Sequence, residues 1–278
     1  MERPEPGCRR RLVVNADDFG RTTGINAAVI QAHRQGILTS ASLMVNESAA
    51  AEAVELARAH PGLGVGLHLT LLCGHAASAK PVPGLVNDRG EFGHNPVAAG
   101  LRYFVSPRLR AALRQEIAAQ FERFHATGLV LDHVNGHLHL HLHPTIFSIL
   151  MDNAAAWGIR QVRLTRDPFW FNLRLARGQW LYRSVHALLY WMLARRARPA
   201  LRRRAIKHTA VVFGLLQNAR VDEAYLARLL PALPPGDSEL YSHPNLDEFR
   251  NELDALVSPR VSALVREQQI QLIRYRDL

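Results

Sequence analysis

At 278 residues, 48% hydrophobic and 21% charged, the chain is long enough for a full-sized buried core and carries no low-complexity tract, which excludes a disordered or fibrous protein. Its two cysteines, Cys8 and Cys73, match no zinc or redox spacing and form no disulfide framework. The net charge is +10, yet ten of the 34 basic residues and no acid lie between Leu173 and His208, so the remainder is balanced at 24 basic against 24 acidic residues and the charge belongs to one segment.

The start, MERPEPGCRRRLVV, lacks the apolar core of a signal peptide, which makes the reducing cytoplasm the expected location. Arg11–Ala16 reads as a buried strand running into Asp17, and Gly24–Gly36 as a helix with Gly36 at its C-cap. A second strand is expected over Ser42–Asn46, an Ala-rich helix over Glu47–His60, and a third strand over Val65–Thr70, ending around His68. A Gly/Pro-containing loop from Leu72 to Pro107 is too long for a simple connector. Leu109–Thr127 reads as a helix, Leu129–Val134 as a strand and Pro144–Trp157 as a helix. Gln161–Leu164, Ala210–Phe213, Glu239–Ser242 and Ile270–Tyr275 are further strand candidates. Such alternation predicts an α/β fold with parallel pairing and helices outside. An irregular (β/α) barrel is the first choice, in one domain spanning 1–278 with a basic insertion near 168–209; a doubly wound open sheet is the alternative.

Polar residues collect at the expected C-terminal strand ends, the face that carries the site in parallel α/β folds. Asn15-Ala16-Asp17-Asp18 ends the first strand, His68 the third, a histidine run the fourth, and Glu239 and His243 lie at the end of a late one. Neighbouring aspartates on an extended segment point to opposite sides, so one can bind a metal while the other accepts a proton. Taken alone, such a pair more often serves as a turn or helix cap. The run from Asp132-His133 to His143 is more specific, because His137, His139, His141 and His143 alternate with leucines. If extended, it presents four imidazoles on one face; the strand's advance of about 6.5 Å per pair keeps all four from one ion. One carboxylate and two imidazoles leave open positions on a divalent ion, as in a catalytic site.

Four ordered stretches resemble the YdjC-like family, which includes chitooligosaccharide deacetylases: Asn15–Gly20, Gly66–Thr70, Gly136–His141 and Glu239–Pro244. The stretch from Arg250 to Leu278 also resembles that family's C-terminus. The resemblance implies an irregular barrel and metal-dependent deacetylation of N-acetylated sugars. It implies Asp18, His68 and His137 as metal ligands, Asp17 as base, His243 as proton donor to the leaving amine and Glu239 as its support. Asn15, His139, His141 and Trp170 are expected to bind substrate or to back the ligands. Asn135-Gly136 stands where many relatives have Asp-Ser, which keeps His133 and His139 open as the second imidazole. The implied cofactor is one divalent ion, magnesium by family, with zinc equally suited to the donor set.

The basic insertion opens with Pro168-Phe169-Trp170-Phe171 and continues through Gln179–Ala194, where Gln179, Arg183 and His186 form one narrow polar stripe on an otherwise apolar helix. It is too short to span a bilayer, which needs about 20 apolar residues. An interfacial helix on anionic lipid, a lid over a greasy substrate, and a buried helix beside a solvated one are the three readings. Nucleic-acid binding is disfavoured by the apolar helix. Within the family this feature resembles the hopanoid-biosynthesis-associated branch, implying an N-acetylglucosaminyl lipid as substrate and peripheral contact with the inner face of the membrane. Deacetylation of soluble chitooligosaccharides, a phosphoesterase with the same ligands, and a non-enzymatic membrane or nucleic-acid binding protein are the alternatives.

Overall fold

The computed structural model describes residues 9–78, 84–217 and 220–278. Cys8, the N-terminal segment before residue 9 and residues 79–83 of the expected long loop lie outside the described residues. In chain order the elements are β1 (Arg10–Phe19), α1 (Thr23–Gln35), β2 (Ser40–Leu43), α2 (Ala50–Ala59), β3 (Gly64–Leu69), α3 (Pro96–Val105), α4 (Pro107–Ala126) and β4 (Val134–Gly136). There follow a 3₁₀ turn (His137–Leu142), α5 (Pro144–Asp152), α6 (Phe169–Leu175), α7 (Trp180–Arg203), β5 (Val211–Phe213), α8 (Glu223–Ala232), β6 (Gly236–Ser242), α9 (Arg250–Val257), α10 (Pro259–Glu267) and β7 (Gln271–Ile273).

Every strand pairing is parallel, in the order β4-β3-β2-β1-β6-β5. β1 lies at the centre: β6 covers one edge over Arg10–Ala16, while β7 takes Arg11–Val13 of the other edge and β2 the part from Asn15 onward. The Gln161–Leu164 candidate supplies no full strand, yet it bridges the two ends of this sheet. The Val134 N–H donates to Gln161 O and the Arg163 N–H to Val134 O on one side; the Val162 N–H donates to Lys207 O and the Val212 N–H to Arg166 O on the other. The sheet is thus curled into an irregular barrel, and the open doubly wound alternative is discarded.

Glycines set how closely the elements approach. A Cβ on Gly66 would sit 2.5 Å from the His133 ring, and one on Gly64 2.6 Å from the Asp132 carboxylate, so β3 lies directly on the β4 segment. Gly36 ends α1, but with φ −130° it is no left-handed cap. It is required because a Cβ there would lie 2.1 Å from the Leu256 carbonyl of α9. Thr22 caps α1 by accepting from the Ile25 N–H, worth about 1 kcal/mol.

Several boundaries differ from expectation. The second strand is Ser40–Leu43, because Met44–Asn46 turns away after Leu43, and the fourth is Val134–Gly136. The long loop contains α3, with Asn95 capping Val97 and Ala98 and Pro96 at the first helical position. The basic insertion is two helices, and α7 runs unbroken through Pro199 from the apolar half into the arginine-rich half.

Candidate active site

The Asp17-Asp18 pair sits on a bulge. Ala16 pairs with Ala41 and Phe19 with Leu43, so β1 spends three steps against two of β2. Asp18 absorbs the extra residue in a left-handed conformation, φ 63°. The expected alternation of the two side chains is therefore broken, and both carboxylates face one cavity of about 700 Å³, together with His68, His137, His139, Tyr241 and His243. Asn26 locks the turn behind them: Oδ1 accepts from the Gly20 N–H at 2.8 Å, and Nδ2 donates to Ala49 O and Glu52.

Asp18, His68 and His137 each offer a donor atom, and these atoms lie within 4.8 Å of one another. Asp18 Oδ1 is 3.2 Å from His68 Nε2 and 3.0 Å from His137 Nδ1. The tautomer of His68 follows from its neighbours. Asn135 turns its amide nitrogen to Asp17 Oδ1 at 3.1 Å and to Ser42 Oγ at 2.8 Å, so its oxygen faces His68 Nδ1 at 2.7 Å and must accept. His68 Nδ1 therefore carries the proton and Nε2 keeps its lone pair, buried and without a hydrogen-bond partner among the described residues. An orphaned ring nitrogen aimed at a carboxylate and a second imidazole is what a divalent cation needs, oriented by an outer hydrogen bond. The three residues fit such an ion. Burial alone would raise the Asp18 carboxyl, but His137 holds it well below the usual carboxylate range. His137, which burial alone would lower, is carried to about 9 by Asp18.

Asp17 has different company. Its Oδ1 accepts from Asn15 Nδ2, Asn135 Nδ2 and Arg163 at 2.9, 3.1 and 3.0 Å, and its Oδ2 from Arg163 at 2.6 Å. Burial opposes ionisation, yet Arg163 outweighs it and keeps this carboxyl far below its ordinary value. Arg163, fully buried, bonds Glu239 Oε1 through Nε and a terminal nitrogen at 2.8 and 2.6 Å, and lies over the Tyr241 ring. Ser42 ties this layer to His133, whose other nitrogen meets Asp132 at 3.2 Å and whose ring stacks on Tyr275. His133 is thus occupied by Ser42, Asp132 and Tyr275, and the imidazole that stands beside Asp18 and His68 is that of His137.

The histidine run is not extended. His137–Leu142 forms a 3₁₀ turn in which Leu138 and His139 are left-handed, and this sends the four rings apart. His137 meets Asp18, while His139 is 3.0 Å from the Tyr241 hydroxyl and lines the cavity. His141 bonds Arg163 O and His143 bonds Gly100 O. Burial holds His139 well below its ordinary value, with the Arg163 charge adding to it, and holds His141 down to about 3 against the opposing bond to Arg163 O, so these two imidazoles are neutral.

Two expected positions are placed elsewhere. Glu239 does not support His243: its partners are Arg163 and the Tyr275 hydroxyl. The carboxylate facing His243 is the buried Glu252, which accepts the His243 N–H at 2.6 Å and lies 3.8 Å from Nδ1. Trp170 lies outside the cavity, 76% exposed, in an outer groove between α6 and α7. Sequence reasoning missed Arg163, Ser42, Asn135, Tyr241 and Glu252. For Arg163 there was a signal, a basic residue between the apolar Val162 and Leu164 of a strand candidate.

A profile of the family described as YdjC-like protein matches residues 11–267. The chain belongs to the YdjC-like family. Among its relatives, a carbohydrate deacetylase of Brevibacillus brevis is 40% identical over 169 residues, covering 61% of this chain and 64% of that protein. A carbohydrate deacetylase of Clostridium beijerinckii is 28% identical over 279 residues, covering 96% and 100%. A chitooligosaccharide deacetylase of Serratia marcescens is 36% identical over 163 residues, covering 56% and 60%. The chain thus spans less than two thirds of the length of the Brevibacillus and Serratia relatives. A crystal structure from Enterococcus faecalis V583, of a protein named for cellobiose-phosphate cleavage, superposes with a TM-score of 0.74 at 21% identity over 97% of this chain and 98% of that one. That likeness shows that the fold is shared.

Proposed function

We propose that this YdjC-like protein is a metal-dependent hydrolase that removes the acetyl group from an N-acetylglucosaminyl substrate. The observation that carries the reading is the Asp18, His68 and His137 donor set beside a second, separately held carboxylate in one cavity. Carbohydrate and chitooligosaccharide deacetylases among the relatives support the substrate class.

A divalent ion held by Asp18, His68 and His137, magnesium or zinc, would supply Lewis acidity toward the amide carbonyl and acidify a water molecule. Asp17 takes the proton of the attacking water. Its bond to Arg163 keeps it ionised at every working pH, so it starts in the accepting form. His243, lining the cavity with its side chain 31% exposed, gives a proton to the departing amine, with Glu252 behind it. Asn15 and Asn135 fix Asp17, and Tyr241 with His139 shapes the wall.

The same proposal extends to the acceptor: a sugar carried on a lipid, a glycosylated hopanoid as the family branch implies, with the arginine-rich half of α7 against an anionic membrane. The apolar wall that α7 gives the cavity through Val185, Leu189 and Leu193 supports a greasy aglycone over a second polar sugar. The test is acetate release from an N-acetylglucosaminyl lipid and from diacetylchitobiose, with and without chelator. Asp17→Asn is expected to lose about 10²–10⁴ in rate while still binding metal by titration calorimetry. Loss of metal instead would reverse the roles of Asp17 and Asp18.

A further inference from the structure

The cavity opens between two helices, α3 and α7. α3 contributes Val97 and Gly100 to it and α7 contributes Val185 and Leu189, with the half-exposed Leu138 at the mouth. The Tyr190 hydroxyl bonds Leu138 O, fastening α7 to the mouth.

Each helix turns an apolar stripe to solvent. On α3 it is Val97, Leu101, Phe104 and Val105, all at least 62% exposed. On α7 it is Leu181, Val185, Leu188, Leu189 and Met192, all at least 42% exposed. Both stripes follow i, i+4, i+7, i+8, the spacing that in a soluble protein normally faces the core. Polar anchors hold both helices in this orientation. Arg183 is buried beneath α7, donating to Leu216 O and Ala176 O, and Tyr103 is buried beneath α3, donating to Leu71 O. The polar side of α7 therefore faces inward at Arg183, and the apolar side faces out.

Both stripes are also flanked by arginines. No acid lies between Phe92 and Gln115, where Arg102, Arg108, Arg110 and Arg114 are exposed. Arg195, Arg196, Arg202 and Arg203 are exposed along the second half of α7. Trp180 and Trp191 add exposed indoles, the side chains favoured at a membrane–water boundary. No helix among the described residues is long and apolar enough to cross a membrane, so contact is confined to the surface.

We propose that α3 and α7 together form one docking surface for an anionic lipid bilayer, with the mouth of the site cavity opening onto the lipid between them. The charge selects this occupant, since a second copy of the chain would bring two arginine-rich faces together. Apolar stripes seat in the acyl boundary and the arginines reach the headgroups. The proposal rests on the deacetylase reading only for what travels through the mouth: a lipid-borne sugar enters the cavity while its aglycone stays in the bilayer.

The experiment is flotation of the whole protein with phosphatidylcholine vesicles, with and without phosphatidylglycerol. It compares wild type with Leu101→Glu/Phe104→Glu on α3 and Leu181→Glu/Leu188→Glu on α7. All four side chains are exposed, so unchanged thermal melting of each variant is expected. Wild type should bind only the anionic vesicles, and each double variant should bind at least about tenfold more weakly. Hydrolysis of diacetylchitobiose should be unchanged in both. Full binding by the α3 variant would overturn the two-helix surface. Failure of wild type to bind, or a wild-type dimer in light scattering that either variant dissolves, would overturn the bilayer as occupant. Anionic binding without hydrolysis of any acetylated sugar would leave the docking surface standing and remove the deacetylase reading.

Discussion

Replacing Arg163 by methionine tests the arrangement under the site. Arg163 is fully buried and makes two bonds to Asp17 and two to Glu239, all between 2.6 and 3.0 Å. Removing one partner of a buried ion pair costs about 3–5 kcal/mol, a large share of a typical total of about 5–15. Asn15, Asn135 and Tyr275 still donate to the stranded carboxylates, which puts the expected loss near the lower end, about 3 kcal/mol. Its pH dependence has a definite sign. In the wild type, burial raises the Asp17 carboxyl but Arg163 depresses it further, so its ionised form stabilises the fold above the unfolded value of about 3.9. In the variant the main counterweight is gone, and burial pushes this carboxyl up. The contribution then becomes a penalty above about pH 4, relieved as the pH falls and the group protonates. Urea unfolding of both proteins at several pH values between about 8 and 4.5, in chelator, should show a gap that is widest at the alkaline end and narrows toward the acid end. A gap under about 1 kcal/mol, or one independent of pH, would refute the reasoning. Arg163→Lys keeps the charge but loses the fork, and its smaller, similarly pH-dependent gap supplies the test should the methionine variant fail to fold.

Metal affinity should rise with pH up to about 9, because below that His137 holds a proton beside Asp18 that an ion must displace. Calorimetry in buffers of different ionisation enthalpy checks this, and metal uptake at neutral pH without proton release would contradict it. Asp18→Asn should abolish that binding and Asp17→Asn should not, as equilibrium dialysis would report. Gly36→Ala should destabilise the fold by about 1–3 kcal/mol, because its Cβ meets the Leu256 carbonyl at 2.1 Å and α1 must move off α9. A thermal melt lowered by less than about 1 °C would show that this junction yields freely.

The residue types and the local periodicity were enough to place much of this protein. Apolar runs ending in Asp17 and His68 read as parallel strands, and Asp17, Asp18, His68 and His137 line one cavity. Alternating strands and helices gave the α/β barrel class, because period and length are properties of short segments. What required tertiary structure was every long-range partner. The His-Leu alternation imitates a strand, but the chain must reverse tightly between β4 and α5, and left-handed Leu138 and His139 send the rings apart. The Asp17-Asp18 bulge depends on how β2 pairs with β1, and nothing in the dipeptide itself encodes it. Arg163 reaches Asp17 across 146 positions only because the segment after α5 closes the barrel beneath the site. The outward apolar face of α7 was equally hidden: its composition gave an amphipathic helix, but the buried bonds of Arg183 decide which face meets the core. Chemistry and period are carried by neighbours in the chain, whereas partners and orientation follow from sheet closure, which brings together residues that have no local reason to meet.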